Sequence, residues 1–327
     1  MKYRRLGSSG LQLSELGLGS WVTFGKQVNL KAATEIMAKA YDAGINFFDN
    51  AEGYEAGVSE QLMGDAIAKL GWSRDSYVVS SKVFWGGDKP TQRGLSRKHV
   101  FDACHSALKR LRVDYLDLYY CHRPDIDTPI TETVRAMHDL VSQGKVMYWG
   151  TSEWSAQQIT EAWAAAKADH LTGPVMEQPE YNMLMRNKVE QEFLPLYTLT
   201  GLGITSFSPL SSGLLTGKYL NGIPQGSRLS LPGYEWLRDI ILGERNQLTK
   251  LRALNDLASS LDMPMHHLAL NWCLSNPHVS SVILGVSKIA QLEDNLAALE
   301  RRDAITREVL AQIDDILQNK PAAPVRW

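Results

Sequence analysis

The chain has 327 residues, 34 Lys plus Arg against 36 Asp plus Glu, a formal net charge of -2 and 44% hydrophobic residues. A balance this near neutral excludes the broad basic face that nucleic acid or anionic lipid would need, which leaves small molecules and proteins as partners. Three cysteines without a CxxC pair exclude a disulfide framework or zinc ribbon, and no stretch nears the roughly 18 apolar residues that span a bilayer, so a soluble cytoplasmic protein without membrane insertion is expected.

The N-terminal MKYRRLGSSG is basic, but the apolar run behind it is interrupted at Ser14 and Glu15, too soon for a signal peptide. Short β-branched or aromatic runs then alternate with longer amphipathic segments: strand LSELGLG, helix LKAATEIMAKAYDAG, strand INFFD, helix VSEQLMGDAIAKLG, strand YVVSSK. The alternation continues through helix SRKHVFDACHSALKRLRV, strand YLDLYYC, a helix opening at Pro129, strand VMYWGTS, helix SAQQITEAWAAAKA, strand PVMEQ, helix NKVEQEFLPLYTLTG and strand ITSFSPL. Strand centres recur about every 30 to 40 residues, one βα unit each time. Gly44, Gly71, Gly144 and Gly201 each close a helical segment, where a left-handed cap is favoured. From Ser208 to about Ser280 the regularity lapses into a Gly/Pro/Ser-rich loop, GKYLNGIPQGSRLSLPGYEW, and two more helical segments before an eighth strand, SVILG; helix TREVLAQIDDILQ follows.

These elements predict an α/β protein, a (β/α)8 TIM barrel with a long loop after strand 7 and additional C-terminal helices, forming one domain over residues 1–327. An open Rossmann sheet would place GxGxxG after its first strand; only Gly17, Leu18 and Gly19 stand there, and they read as strand glycines.

Barrel enzymes carry their chemistry at the carboxyl ends of the strands. Asp49 follows INFF, Lys82 follows YVVSS, His122 follows YLDLYYC, and Tyr54 lies in the loop DNAEGY beyond Asp49. Singly, each has a structural reading: Asp49 a helix cap, Lys82 a solvated ammonium, His122 a turn residue beside Arg123 and Pro124. Four such groups rarely converge from neighbouring strand ends by architecture alone. A tyrosine is a poor acid at neutral pH unless a cation stabilises its phenolate, and Lys82 is placed to supply that charge. Asp49 would keep Lys82 protonated, and neutral His122 would donate to a substrate oxygen, a set suited to protonating a carbonyl oxygen as hydride arrives. Trp85, just past Lys82, is read as a wall of the substrate pocket. GxxxGKY at Gly213 has too few residues between its glycines for a Walker A loop, and no GxSxG exists. His266 and His267 are expected on different faces of one helix and lack HExxH spacing, so neither a metal nor a nucleophilic serine is expected.

At Asp49, Tyr54, Lys82 and His122 the chain resembles the aldo-keto reductase superfamily, whose catalytic tetrad is Asp, Tyr, Lys and His at these strand ends. Within it the chain is similar to the branch of voltage-gated potassium channel β-subunits, on WVTFG at Trp21, KVFWGG at Lys82, GLSRKH at Gly94, ETVRAM at Glu132, YWGTS at Tyr148 and GIPQGSR at Gly222, and it looks like a bacterial or plant-like stand-alone member. The resemblance runs from Tyr3 almost to Lys320 and implies NADPH, bound extended across the barrel mouth, and a carbonyl substrate. By position it implies cofactor contacts at Trp21 and Gln27, at Ser152 and Gln178 for the carboxamide, and at Phe207, Ser208, Pro209, Leu210 and Ser212 for ring and pyrophosphate. Lys218, Arg228, Gly285, Ser287, Gln291, Asp294 and Asn295 complete the set. The chain departs from the branch at Phe207, usually a larger aromatic, and at Asp294, where Glu is usual. Animal members carry Asn where His122 stands and have long N-terminal extensions, so a stand-alone NADPH-dependent reductase is the first expectation. A channel subunit sensing redox through its cofactor is the alternative, and a Schiff-base lyase through Lys82 ranks last because an ammonium held by Asp49 is a poor nucleophile. The branch also implies a homo-oligomer, most simply a tetramer.

Overall fold

The structure, a computed structural model, describes residues 1–230, 235 and 247–323. It opens with an antiparallel hairpin, β1 (Tyr3–Arg5) and β2 (Gln12–Ser14), that the run LSELGLG conceals by reading as one strand. The break falls at Glu15: Ser14 donates its N–H to Asn46 Oδ1 at 2.7 Å and its hydroxyl to the Leu16 carbonyl at 2.6 Å, which turns the chain before β3 (Leu16–Gly19).

Seven further parallel strands follow: β4 (Phe47–Asp49), β5 (Val78–Val83), β6 (Leu116–Cys121), β7 (Val146–Ser152), β8 (Met176–Gln178), β9 (Gly203–Ser206) and β10 (Val279–Gly285). They close in the order β10-β3-β4-β5-β6-β7-β8-β9, the expected TIM barrel. β5 is buried along its whole length, as a strand covered on both faces must be. At the amino end the hairpin plugs the barrel: Leu6 and Leu13 join Phe47, Val78, Leu118, Tyr120, Met176 and Ile283 in one buried cluster. Each such side chain contributes roughly 1.5–3 kcal/mol through burial. Gly17 and Gly19 belong to β3, as read, because a Cβ there would lie 2.7 Å from Phe47 Cδ1 and 2.6 Å from Ile283 Cγ2.

Helices α1 (Leu30–Asp42), α2 (Val58–Leu70), α3 (Arg97–Leu111), α4 (Ile130–Ser142) and α5 (Ala156–Ala168) return the chain between strands. Their ends follow local chemistry. Asn29 caps α1 by accepting from the Ala32 N–H, Ser155 and Gln158 form a capping box on α5, and α1 buries Ala33, Ile36, Met37 and Ala40 at helical spacing. Gly44, Gly71, Gly144 and Gly201 all adopt positive φ, as expected of helix-ending glycines. The segment read as one helix from Asn187 is instead a wide turn at Lys188–Glu192 followed by α6 (Leu194–Leu199), because Pro195 has no N–H to continue the ladder.

The chain groups into two compact units. One, Met1–Pro179 with Glu192–Phe207 and His278–Leu292, holds the whole barrel. The other comprises Glu180–Gln191, Ser208–Pro277 and Glu293–Trp327, and contains α7 (Gln247–Ser260), α8 (Met265–Ser275) and α10 (Arg307–Leu317); α9 is Ile289–Ala297. Within this second unit Arg186 pairs with Glu190 at 2.8 Å and Asp314 at 2.7 Å, tying the loop after β8 to α10. Most of the LPGYEW stretch lies outside the described residues. Among the described residues no helix is long and apolar enough to cross a membrane, and Cys104, Cys121 and Cys273 are buried and unpaired.

Candidate active site

Parallel pairing puts the carboxyl ends of β4, β5 and β6 side by side, with Asp49 opposite Ser80 and Lys82 opposite Tyr120. Asp49 ends β4, Lys82 lies near the end of β5, and His122 follows β6. Lys82 is fully buried, yet its Nζ donates to Asp49 Oδ2 at 2.6 Å, to the Asn50 carbonyl at 2.9 Å and to the Tyr54 hydroxyl at 3.2 Å. The Asp49 carboxylate in turn accepts from Ser80 Oγ at 2.7 Å and Gln178 Nε2 at 3.1 Å.

Tyr54 reaches back to Lys82 because the chain turns sharply at Tyr54–Gly57, where Glu55 and Ala56 both take left-handed backbone, φ 47° and 50°. Such conformations cost non-glycine residues on the order of 1–3 kcal/mol each. Their distribution is informative. Among non-glycine residues with positive φ, Arg112, His170, Asp262 and Gln318 lie at or just beyond helix ends, whereas Val22, Glu55, Ala56, Glu153, Ser208, Ser211 and Ser212 all lie in loops leaving barrel strands. Strain therefore collects where barrel enzymes keep their chemistry.

Burial alone would pull the Lys82 ammonium below its ordinary pKa, but Asp49 and Tyr54 outweigh it and hold the group above that value, hence protonated. Burial pushes the Tyr54 phenol up; Lys82 pulls it down without overcoming the burial. The expected lowering of Tyr54 is thus present as an interaction but not as the net result. Burial, with Lys82 and Arg123 behind it, drops the His122 imidazole well below its ordinary value, so it is neutral as expected. Its ring stands edge-on to Tyr54 at 5.6 Å and to Trp85 at 5.0 Å, and Nδ1 is buried without a partner among the described residues. Trp85 is partly exposed beside it.

A second layer fixes these groups, and sequence reasoning missed it. Glu52 accepts the Phe84 N–H at 2.7 Å and faces His99 Nε2 at 3.3 Å, so α3 braces the loop carrying Tyr54 against the end of β5. Glu60 of α2 accepts from Ser81 Oγ at 2.5 Å and from Arg110 Nε at 2.6 Å, pinning β5 one residue before Lys82. Arg123 is more than a turn neighbour of His122: its Nη1 donates to the His122 carbonyl at 2.5 Å and to Ser152 Oγ at 3.4 Å.

The residues assigned to a dinucleotide divide between the two units. In the barrel unit, Ser152 Oγ donates to the Gln178 carbonyl at 2.8 Å and Gln178 Nε2 reaches Asp49, so both adjoin the Asp49–Lys82–Tyr54 group. Trp21 is half-buried, and Gln27 folds back to donate to the Val22 carbonyl at 2.9 Å. Phe207 is half-buried behind β9, Gly285 ends β10, and Ser287 donates its N–H to Gln291 Oε1 at 2.8 Å at the start of α9. In the second unit, Pro209 is buried and Leu210 half-buried between left-handed Ser208 and left-handed Ser211 and Ser212. Gly213 continues that run at φ 98°, and a Cβ there would lie 2.7 Å from Lys218 Nζ. The Ser211 and Gly213 N–H groups are spent within the turn, donating at 2.9 Å to the Ser208 and Leu210 carbonyls respectively, and the Lys218 ammonium packs against it. Arg228 begins a short turn, Arg228–Ser230, but its side chain lies outside the described residues. Asn295 is buried.

Asp294 differs from expectation: His266 Nε2 and His267 Nε2 hold its carboxylate at 2.9 and 3.1 Å. The two rings, 4.5 Å apart, thus share one acid instead of facing apart. Consecutive helical residues are only about 100° apart, so Asp294 fits the groove between them.

A match to the family model described as "Aldo/keto reductase family" covers residues 15–318. The chain belongs to the aldo/keto reductase family. It is 51% identical over 325 residues, 99% of both chains, to a protein of Arabidopsis thaliana named probable voltage-gated potassium channel subunit beta. It is also 51% identical over 322 residues, 98% of both chains, to a protein of Oryza sativa subsp. japonica with the same name. The closed barrel is the family's architecture, and membership carries oxidoreductase activity with it.

Proposed function

We propose that the protein reduces aldehydes or ketones to alcohols with NADPH, with Tyr54 as the general acid. The observation that supports this reading best is the buried relay Asp49–Lys82–Tyr54 beside a neutral His122. NADPH, when bound, would supply hydride to the carbonyl carbon; within the barrel unit, Ser152 and Gln178 beside Asp49 are the residues fitted to hold it. His122, uncharged, donates a hydrogen bond to the carbonyl oxygen and polarises it. Tyr54 gives that oxygen its proton as electron density arrives, and Lys82 stabilises the phenolate left behind. Asp49 keeps Lys82 charged and oriented. The same buried, fully partnered Lys82 disfavours a Schiff base, which would need its neutral amine.

Tyr54→Phe removes the proton donor and keeps the ring. Expected are a fall in kcat of about 10²- to 10⁴-fold and little change in NADPH affinity, read by tryptophan quenching. Substantial turnover by Tyr54→Phe on a good carbonyl substrate would remove Tyr54 as the acid. The relatives' names support a second reading, a voltage-gated potassium channel subunit; in that role the proposed dinucleotide would serve as a sensor. That reading predicts saturable NADPH binding without sustained carbonyl turnover by the unmodified protein.

A further inference from the structure

The guanidinium of Arg123 is not used by the relay, and its surroundings are unusual for a half-buried cation. Nη1 is engaged by the His122 carbonyl and Ser152 Oγ, but Nε and Nη2 have no acceptor among the described residues, and no carboxylate there pairs with Arg123. The guanidinium carbon lies 5.4 Å from the centre of the partly exposed Trp85 ring, and that ring stands 5.0 Å from His122. Stacking on the indole orients the planar group, while the hydrogen bonds from Nη1 leave the Nε/Nη2 edge unspent. That edge is the fork that takes two oxygens of a carboxylate or phosphate.

We propose that Arg123 is a specificity-determining residue that selects carbonyl substrates bearing an anionic group, a carboxylate or phosphate held by its Nε/Nη2 fork against Trp85. The inference rests on the reductase reading, since it places the anion beside a carbonyl poised at Tyr54 and His122. A charge-assisted pair is costly to lose, and an anionic substrate loses it in addition to whatever a neutral substrate of the same shape also loses when the guanidinium leaves His122 and Ser152. The signature is therefore a ratio of kcat/KM values between matched substrates.

The test compares 3- and 4-formylbenzoate, each against its own amide, and 4-formylphenyl phosphate against 4-methoxybenzaldehyde. The unmodified protein is expected to favour at least one anionic partner about 10- to 150-fold, the worth of a charged hydrogen bond. Arg123→Gln should bring that ratio to near one, mainly through KM, and Arg123→Lys should restore part of it. Whichever anion shows the larger ratio identifies the group recognised. A ratio near one in the unmodified protein, or equal losses for charged and neutral partners in Arg123→Gln, would overturn the proposal. If the unmodified protein reduces neither kind of aldehyde, the reductase reading fails. Tryptophan quenching by terephthalate then decides the anion site alone: saturable quenching that Arg123→Gln abolishes supports it, and no saturable quenching refutes it.

Discussion

Replacing Asp49 with Asn tests the physical core of the site without any ligand. Lys82 is fully buried and its ammonium lies 2.6 Å from Asp49 Oδ2, so the substitution leaves a buried cation facing an amide with only the Asn50 carbonyl and Tyr54 hydroxyl as partners. Removing one member of such a pair costs about 3–5 kcal/mol. Lys82→Met is milder, since Asp49 keeps its donors Ser80 and Gln178. Combining Asp49→Asn with Lys82→Met removes both charges at once, so the loss in the double variant should fall short of the summed single losses by about 2–3 kcal/mol. Urea unfolding followed by tryptophan fluorescence at pH 7 measures all four proteins. The pH dependence supplies an independent sign. In the unmodified protein Lys82 is held above its ordinary value, so its contribution is present at neutral pH and lost only as pH rises through the folded value. In Asp49→Asn the folded value drops below the unfolded one, and stability should instead rise with pH across that interval. Additivity within about 0.5 kcal/mol, together with an unchanged pH slope, would refute the pairing argument.

Three further outcomes are expected. His122 lies well below its ordinary value in the fold, so its contribution is present above about pH 6.5 and is lost as pH falls; His122→Asn should flatten the stability–pH slope there by up to about 1.4 kcal/mol per unit, measured by urea unfolding from pH 7 to 5. If Lys218 and Arg228 read the adenosine 2′-phosphate, Lys218→Gln and Arg228→Gln should each weaken NADPH about 10- to 150-fold and leave NADH nearly unchanged in fluorescence titrations, and equal losses for both would refute the assignment. The branch resemblance predicts a tetramer, and light scattering at micromolar concentration that finds a 36.5 kDa particle would refute it.

What was legible in the sequence is what depends on local pattern. Each barrel strand is an apolar run closed by turn chemistry, so the residue after the run marks the mouth, and the sequence alone places Asp49, Lys82 and His122 there. Gly17 and Gly19 read as strand glycines because a Rossmann turn would need more of them. Illegible were pairings between distant positions whose members look ordinary alone. Glu52 and His99, or Glu60 with Ser81 and Arg110, lie on separate elements, and only the closed barrel brings them together. The hairpin escaped because its strands are three residues each and Leu6 and Leu13 find their partners only inside the barrel. For His266 and His267, helical phase separates neighbours but does not say that Asp294 fills the groove between them.

The direction of the Tyr54 shift bears on how such a site works. A phenol whose pKa fell far in the free protein would ionise before substrate arrived and would have no proton to give. Here burial keeps the hydroxyl protonated while the Lys82 ammonium waits at 3.2 Å from its oxygen. That attraction is weak toward a neutral hydroxyl and strong toward a phenolate, so most of it is realised only as the proton leaves, which is the condition for lowering a barrier instead of merely tightening binding. Asp49 prevents the opposite failure, a buried lysine that sheds its own proton. The strained turn at Glu55 and Ala56 holds Tyr54 at that distance, so relaxing it by Ala56→Gly should loosen the Tyr54–Lys82 contact and cost turnover even where it relieves backbone strain.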